Sequence, residues 1–213
     1  MAEGLRERKK RQARQHISDL ATGLFLKHGF VTVTVADVAE LADVSVNTVY
    51  NYFPAKEDLF LDRMKSVSRR VPRFIRARDR GESAAEAVLR ELRAAVVAVS
   101  PEYGLMDGFA DFMRVIEEAP TLKARLWYLQ QEVLQGVVEV LREETDVAPE
   151  DPMPLLVGGQ IAWAEGALVA YISQEMSAGH QAVEVSRDAL VVLDEIEGLL
   201  GEKVLNYARR AAA

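Results

Sequence analysis

Between Gly29 and Asp58 the chain reads GFVTVTVADVAELADVSVNTVYNYFPAKED, and the punctuation of that stretch leaves it few ways to fold. Gly29 stands where a preceding helix stops. Thr34, followed three residues later by Asp37, makes a capping-box-like start, and Val35, Val38, Ala39 and Ala42 keep helical spacing behind it. Ser45 is a good N-cap for the next helix, because its hydroxyl can accept from the amide of Asn47 or Thr48. Asp43 and Val44 are left to make the turn, and Asp is among the few non-glycine residues that tolerate a left-handed backbone. The expectation is two short helices set at an angle by a tight turn, behind a longer helix.

On the second of these helices Val49 and Phe53 lie four apart and face inward, so Val46, Asn47, Thr48, Tyr50 and Asn51 point elsewhere. That outward set is short, polar and aromatic with no carboxylate, which suits the negatively charged major groove of DNA. The ordered string Gly29-Phe30, Thr34, Val38-Ala39, Val44-Ser45, Thr48-Val49-Tyr50, Tyr52-Phe53 and Lys56-Glu57-Asp58-Leu59 resembles the N-terminal domain of the TetR family of bacterial transcriptional regulators, over roughly the first 60 residues. Two positions depart from the family: it usually has Gly where Asp43 stands, and Ser, Thr or Asn where Ala55 stands.

The resemblance implies that Val46, Asn47 and Thr48 approach base edges and that Tyr50 reaches bases or backbone. It also implies that Thr34, Tyr52 and Lys56 hold phosphates, with Ser45 and Asn51 completing the DNA-facing set. Elementary physics points the same way, since helix starts at Thr34 and Lys56 offer free amides to anions. The side-chain amide of Asn47 can pair bidentately with adenine, whereas Val46 can meet only a group such as a thymine methyl. For Thr34 and Ser45 a purely capping role competes with contact.

Net charge is −7, an odd value for a DNA binder until the chain is divided: residues 1–80 carry +6 and residues 81–213 carry −13. The basic part holds the helix-turn-helix, as local phosphate binding requires. Arg6, Arg8, Lys9, Lys10, Arg11 and Arg14 fall before or within the opening turns of the first helix, as an arm for DNA or a solvated tail. The chain has no cysteine, which suits a reducing compartment and excludes disulfides and thiolate metal sites. With no signal-like start and no apolar run near membrane-spanning length, the expectation is a cytoplasmic protein with no membrane partner. His16, His28 and His180 stand apart, and P-loop, dinucleotide-binding and nucleophile-elbow patterns are missing, so neither catalysis nor a cofactor is indicated.

The whole chain reads as all-α, with about nine helices. Residues 1–55 are expected to form a three-helix DNA-binding domain, and residues 56–213 a helical domain for ligand binding and dimerisation. A long fourth helix from Lys56 past Val67 to Pro72 would link the two. Further helices are expected from Ser83 to Ser100, Phe109 to Glu118, Pro120 to about Thr145, and near 155–177 and 183–209. The resemblance implies a pocket for a small-molecule effector drawing on Met64, Phe109, Phe112, Met113, Trp127, Gln131 and Trp163. It also implies a homodimer seam on the last two helices, where Gly158, Ala162 and Gly166 recur every fourth place and Val192, Leu193, Ile196 and Leu200 form a stripe. Glu165 shares a helical face with Ile161, Leu168 and Ile172, so its carboxylate is either partly buried or at an edge. The function implied is a ligand-responsive regulator, a repressor that leaves a palindromic DNA operator when an effector binds. The alternatives are a constitutive DNA-binding protein and a helical partner-binding scaffold.

Overall fold

The computed structural model describes residues 4–62, 64 and 67–212, which contain eleven α-helices, a 3-10 turn at Pro101–Tyr103 and no strand. They pack as two units, Met1–Lys65 with Arg114–Leu126 and Ser66–Met113 with Trp127–Ala213.

In the first unit α1 (Leu5–His28) buries Ile17, Ala21 and Phe25 at four-residue spacing and ends at Gly29, whose φ of 83° a side-chain-bearing residue rarely adopts. Phe25, Phe30 and Phe60 then meet as an aromatic plug, with ring centroids 5.0 to 6.4 Å apart. The buried hydroxyl of Ser18 donates to the carbonyl of Leu59 at 3.1 Å, so the plug encloses no orphan at that point. The basic residues from Arg6 to Arg11 are helical from the outset rather than an extended arm.

Helices α2 (Val35–Leu41) and α3 (Val46–Tyr52) begin where their caps predict, and Thr34 and Asp37 complete a reciprocal capping box. The turn between them closes α2 with two backbone bonds, Asp43 N–H to the Glu40 carbonyl and Val44 N–H to the Ala39 carbonyl, at 3.2 and 3.0 Å. This double bond is a Schellman motif, and its left-handed position falls on Asp43 at φ 52°. Val44 enters only half-buried, while Ala39 is buried at the crossing.

The long fourth helix is a correction. Helix α4 (Lys56–Phe60) stops after five residues, and α5 (Val67–Arg76) starts afresh and runs through Pro72. Successive helical side chains point roughly 100° apart, so one face cannot bury Asp58, Leu59, Phe60 and Leu61 together. All four are buried, and turning out of the helix at Leu61 allows it.

In the second unit α6 (Ala84–Val97) starts at a Ser83 and Glu86 capping box, and its end repeats the Schellman geometry with Val99 at φ 49°. After the 3-10 turn Pro101–Tyr103, α7 (Phe109–Glu118) and α8 (Pro120–Thr145) contribute residues to both units. Helices α9 (Met153–Ser177) and α10 (Ala182–Leu199) pack on each other, and α10 also packs on α6. The last predicted helix is broken at Leu200 and Gly201, after which α11 (Glu202–Leu205) turns Val204 back into the core. These two breaks account for eleven helices where about nine were expected.

At Gly158 α9 lies close against α8. A Cβ there would lie 3.0 Å from Val138 and 3.4 Å from Val137. By length and composition alone α9 is long and apolar enough to cross a membrane, with a mean hydropathy of 1.4 over its most apolar stretch, a property it shares with core helices of soluble proteins. Val157, Ile161, Leu168 and Ile172 account for much of this by filling the bundle core. Beyond α11 the tail pairs with the loop before α6: Gly81 N–H donates to the Arg210 carbonyl and Arg210 N–H to the Glu82 carbonyl, at 2.9 and 3.0 Å. The Arg209 guanidinium grips the Glu86 carboxylate and holds it below its ordinary pKa.

The turn at Asp43 gives the first prediction. Asp43→Val is expected to lose about 1–2 kcal/mol of stability, because a β-branched residue resists the left-handed region. Asp43→Gly is expected to lose none. Equal urea midpoints for the two variants would show that backbone conformation does not govern the position.

Candidate nucleic-acid interface

Helix α3 divides cleanly by face. Val49 and Phe53 are buried, at 0% and 1% exposure, whereas Val46, Asn47, Tyr50 and Asn51 form a contiguous outer face. Val46 and Tyr50 are 40% and 48% exposed, so both present apolar surface beside the amides of Asn47 and Asn51. No acidic residue stands in the first turn of α3, so its free amides face solvent without a competing carboxylate.

The hydroxyls expected near DNA are already engaged. Thr34 accepts from the amide of Asp37 at 3.2 Å and donates to the Asp37 carboxylate at 2.8 Å. The Thr34 backbone amide bonds that carboxylate and is the main reason it titrates below the ordinary aspartate range. Ser45 accepts from the Thr48 amide at 3.0 Å, and the two hydroxyls lie 2.8 Å apart. Thr48 is half-buried and shares in the cap. Thr34 and Ser45 remain exposed, so each can cap the helix and still offer a lone pair outward.

Lys56 is half-buried, with its ammonium donating to the Phe30 carbonyl at 2.5 Å and lying 4.4 Å from the centre of the Phe30 ring. Burial lowers its pKa, with Glu57 and Asp37 opposing. Ala55 supplies no side-chain cap to the five-residue α4, as the departure at that position implied. Tyr52 is half-buried against Phe53, their ring centroids 6.4 Å apart.

Sequence reasoning missed the part played by Arg14. It lies 4.6 Å over the Phe53 ring, donates to the Tyr52 carbonyl at 2.9 Å and forms a two-pronged pair with Asp62, at 2.6 and 3.1 Å. One guanidinium thereby ties α1 to the end of α3 and to the segment after α4. Its partners are 38 and 48 residues away, and nothing local marks them.

The residues expected in an effector pocket are dispersed in exposure. Met64, Phe109, Phe112, Met113 and Gln131 are half-buried, and the Phe109 and Phe112 rings stack with centroids 6.3 Å apart. Trp127 and Trp163 are 54% and 47% exposed, so neither is an enclosed wall in the single chain. Of the residues expected at a dimer seam, Gly158, Leu193, Ile196 and Leu200 are buried in the chain's own core. Ala162, Gly166 and Val192 are half-buried, and a Cβ on Gly166 would touch nothing within 4 Å. The outward positions are instead Leu155, Leu156 and Trp163 on α9, and Val183, Val191 and Leu199 on α10.

Comparison with known proteins agrees with this geometry. The family model for "Bacterial regulatory proteins, tetR family" matches residues 17–62, the segment that carries α2 and α3. The chain is 27% identical over 151 residues to the HTH-type transcriptional regulator TcmR of Streptomyces glaucescens, covering 70% of this chain and 67% of that protein. It is 39% identical over 62 residues to the HTH-type transcriptional regulator LuxR of Vibrio harveyi, covering 29% of this chain and 30% of that one. Among solved structures, a SmeT–triclosan complex superposes with a TM-score of 0.58 at 15% identity, covering 91% of this chain and 94% of that one, a likeness of fold. With a helix-turn-helix whose outer face is free of carboxylate, a matching family segment and a TetR fold, the chain belongs to the TetR family of DNA-binding transcriptional regulators.

Proposed function

We propose that this protein is a one-component cytoplasmic repressor that binds a palindromic operator as a homodimer and is released by a small-molecule effector in its second unit. The observation that carries the reading is the outer face of α3, where Val46, Asn47, Tyr50 and Asn51 stand together on a helix whose opposite face is locked into the core. In this reading Asn47 reads a base edge, Val46 packs on an apolar base group, and Tyr50 and Asn51 reach bases or backbone. Thr34, Ser45, Thr48 and Tyr52 fix the backbone register, and Lys56 leaves the Phe30 carbonyl to meet a phosphate. The domain assignment follows the same division, residues 1–55 reading DNA and residues 56–213 serving effector and partner.

A dimer is needed because two recognition helices must enter successive major grooves about 34–36 Å apart, beyond the reach of one helix-turn-helix. The exposed apolar row on α9 and α10, with Ala162 and open Gly166 beside Trp163, supports a seam on that face. Relatives support the regulatory part: KstR of Mycolicibacterium smegmatis, 38% identical over 55 residues, is a transcriptional repressor. NalD of Pseudomonas aeruginosa, similar in fold with a TM-score of 0.52, is the secondary repressor of a multidrug efflux pump, and SmeT was captured with triclosan.

Two experiments test the reading. In anisotropy titrations over a salt series, Lys56→Ala is expected to weaken binding to every sequence and flatten the slope of log affinity against log salt by about 0.9. Asn47→Ala is expected to relax preference at one position per half-site, a loss of about 1–3 kcal/mol against the preferred base. Indistinguishable profiles would refute the assignment of roles. For assembly, Trp163→Glu and Gly166→Glu are expected to give folded monomers with poor operator affinity. Sedimentation of the native chain as a monomer at micromolar concentration would remove the dimer.

A further inference from the structure

Three polar side chains are buried within one another's electrostatic reach inside the second unit, and two of them carry an atom without a hydrogen-bond partner. Arg70 on α5, Tyr103 at the end of the 3-10 turn and Glu165 on α9 are 4%, 4% and 5% exposed. The Arg70 guanidinium lies 4.3 Å over the Tyr103 ring, and its two terminal nitrogens share the Glu102 carbonyl at 3.3 and 3.4 Å. Glu102 also offers it a carboxylate at 3.5 Å, but that side chain is 69% exposed. Burial raises the pKa of both Tyr103 and Glu165, and the positive charge of Arg70 opposes the rise in each. Yet the Tyr103 hydroxyl and the Oε1 atom of Glu165 are both buried without a hydrogen-bond partner. Leaving such groups unpaired costs about 1–3 kcal/mol each, and more for a charged one.

The chemistry of the cluster selects among ligands. An anionic ligand would set a second negative charge against Glu165, and a cationic one a second positive charge against Arg70, both away from water. A hydroxyl carries no charge and is at once donor and acceptor, so a single group can donate to Glu165 Oε1 and accept from the Tyr103 hydroxyl. The buried core to which Tyr103 belongs is mostly aliphatic and includes Leu105, Val133, Val137, Ile161 and Leu168. We propose that Tyr103, Glu165 and Arg70 form the polar end of a binding site for a small, neutral, apolar molecule bearing a hydroxyl group, a phenol or comparable alcohol. This deepens the effector reading above and rests on it for the consequence at DNA.

The test is calorimetric titration of the full chain with 4-ethylphenol and with two analogues of similar shape, 4-ethylbenzoate and 4-ethylbenzylammonium. Saturable binding of the phenol is expected, with both charged analogues weaker by about tenfold or more. Tyr103→Phe removes an atom without a protein partner and keeps the ring, so it is expected to melt no lower than the native chain. It and Glu165→Gln are each expected to weaken phenol binding about tenfold. A merely structural cluster would leave the ligand affinity unmoved. Absence of saturable phenol binding, equal affinity for all three compounds, or unchanged affinity in either variant would overturn the proposal. Operator binding measured in parallel separates the two readings. Phenol binding without operator release keeps the site and removes its effector role, whereas operator release by another compound, indifferent to both substitutions, removes the site and keeps the effector.

Discussion

A seven-residue helix does not hold itself together in water, because nucleating it costs more than so few hydrogen bonds return. Everything offered to DNA by α3 therefore depends on what lies behind it. Val49 and Phe53 are buried, Ser45 closes the first turn, and Arg14 takes the carbonyl of Tyr52 at the other end. Burying a side chain such as Phe53 contributes about 1.5–3 kcal/mol, more than the few tenths by which helix propensity distinguishes ordinary residues. The outer face is consequently free to be chosen for recognition. Its composition carries almost none of the burden of folding.

How much of this was legible follows from the range of each interaction. Thr34, Ser45 and Ser83 were readable as caps because donor and acceptor lie three residues apart. Asp43 was readable as the left-handed residue because only a few side chains tolerate that geometry. The partners of Arg14 and Lys56 were not readable, since they are set by contacts 26 to 48 residues distant. Nor was the end of α4, where four adjacent residues bury themselves by leaving the helix. An amphipathic stripe states that a face is covered and is silent about what covers it. Leu193 and Ile196 satisfied the pattern expected of a seam while filling their own core.

That ambiguity has a physical resolution in α9. Gly158 is occupied by its neighbour α8, so its small size is explained within one chain, whereas Gly166 faces open space and is not. Only 39% of the most apolar stretch of this helix is buried, so its hydrophobicity exceeds what the chain's own core consumes. The surplus collects at Leu155, Leu156 and Trp163. Glu165, two residues beyond Trp163, points the opposite way and is buried, so one helix carries both an unspent apolar face and an unspent polar atom.

The pairing of Arg210 with Gly81 and Glu82 joins residues separated by nearly 130 positions. The loop ahead of α6 thus receives its last backbone partners only after residue 210 has been synthesised. During translation α1 to α4 emerge with their mutual contacts within reach, Arg14 and Asp62 being 48 residues apart, while Asp58 waits for Arg125, 67 residues further on. The second unit must wait with α6 exposed along the faces later covered by α10 and α11. Its vulnerable interval on the ribosome is therefore longer than that of the helix-turn-helix, and chaperones would meet it in that state.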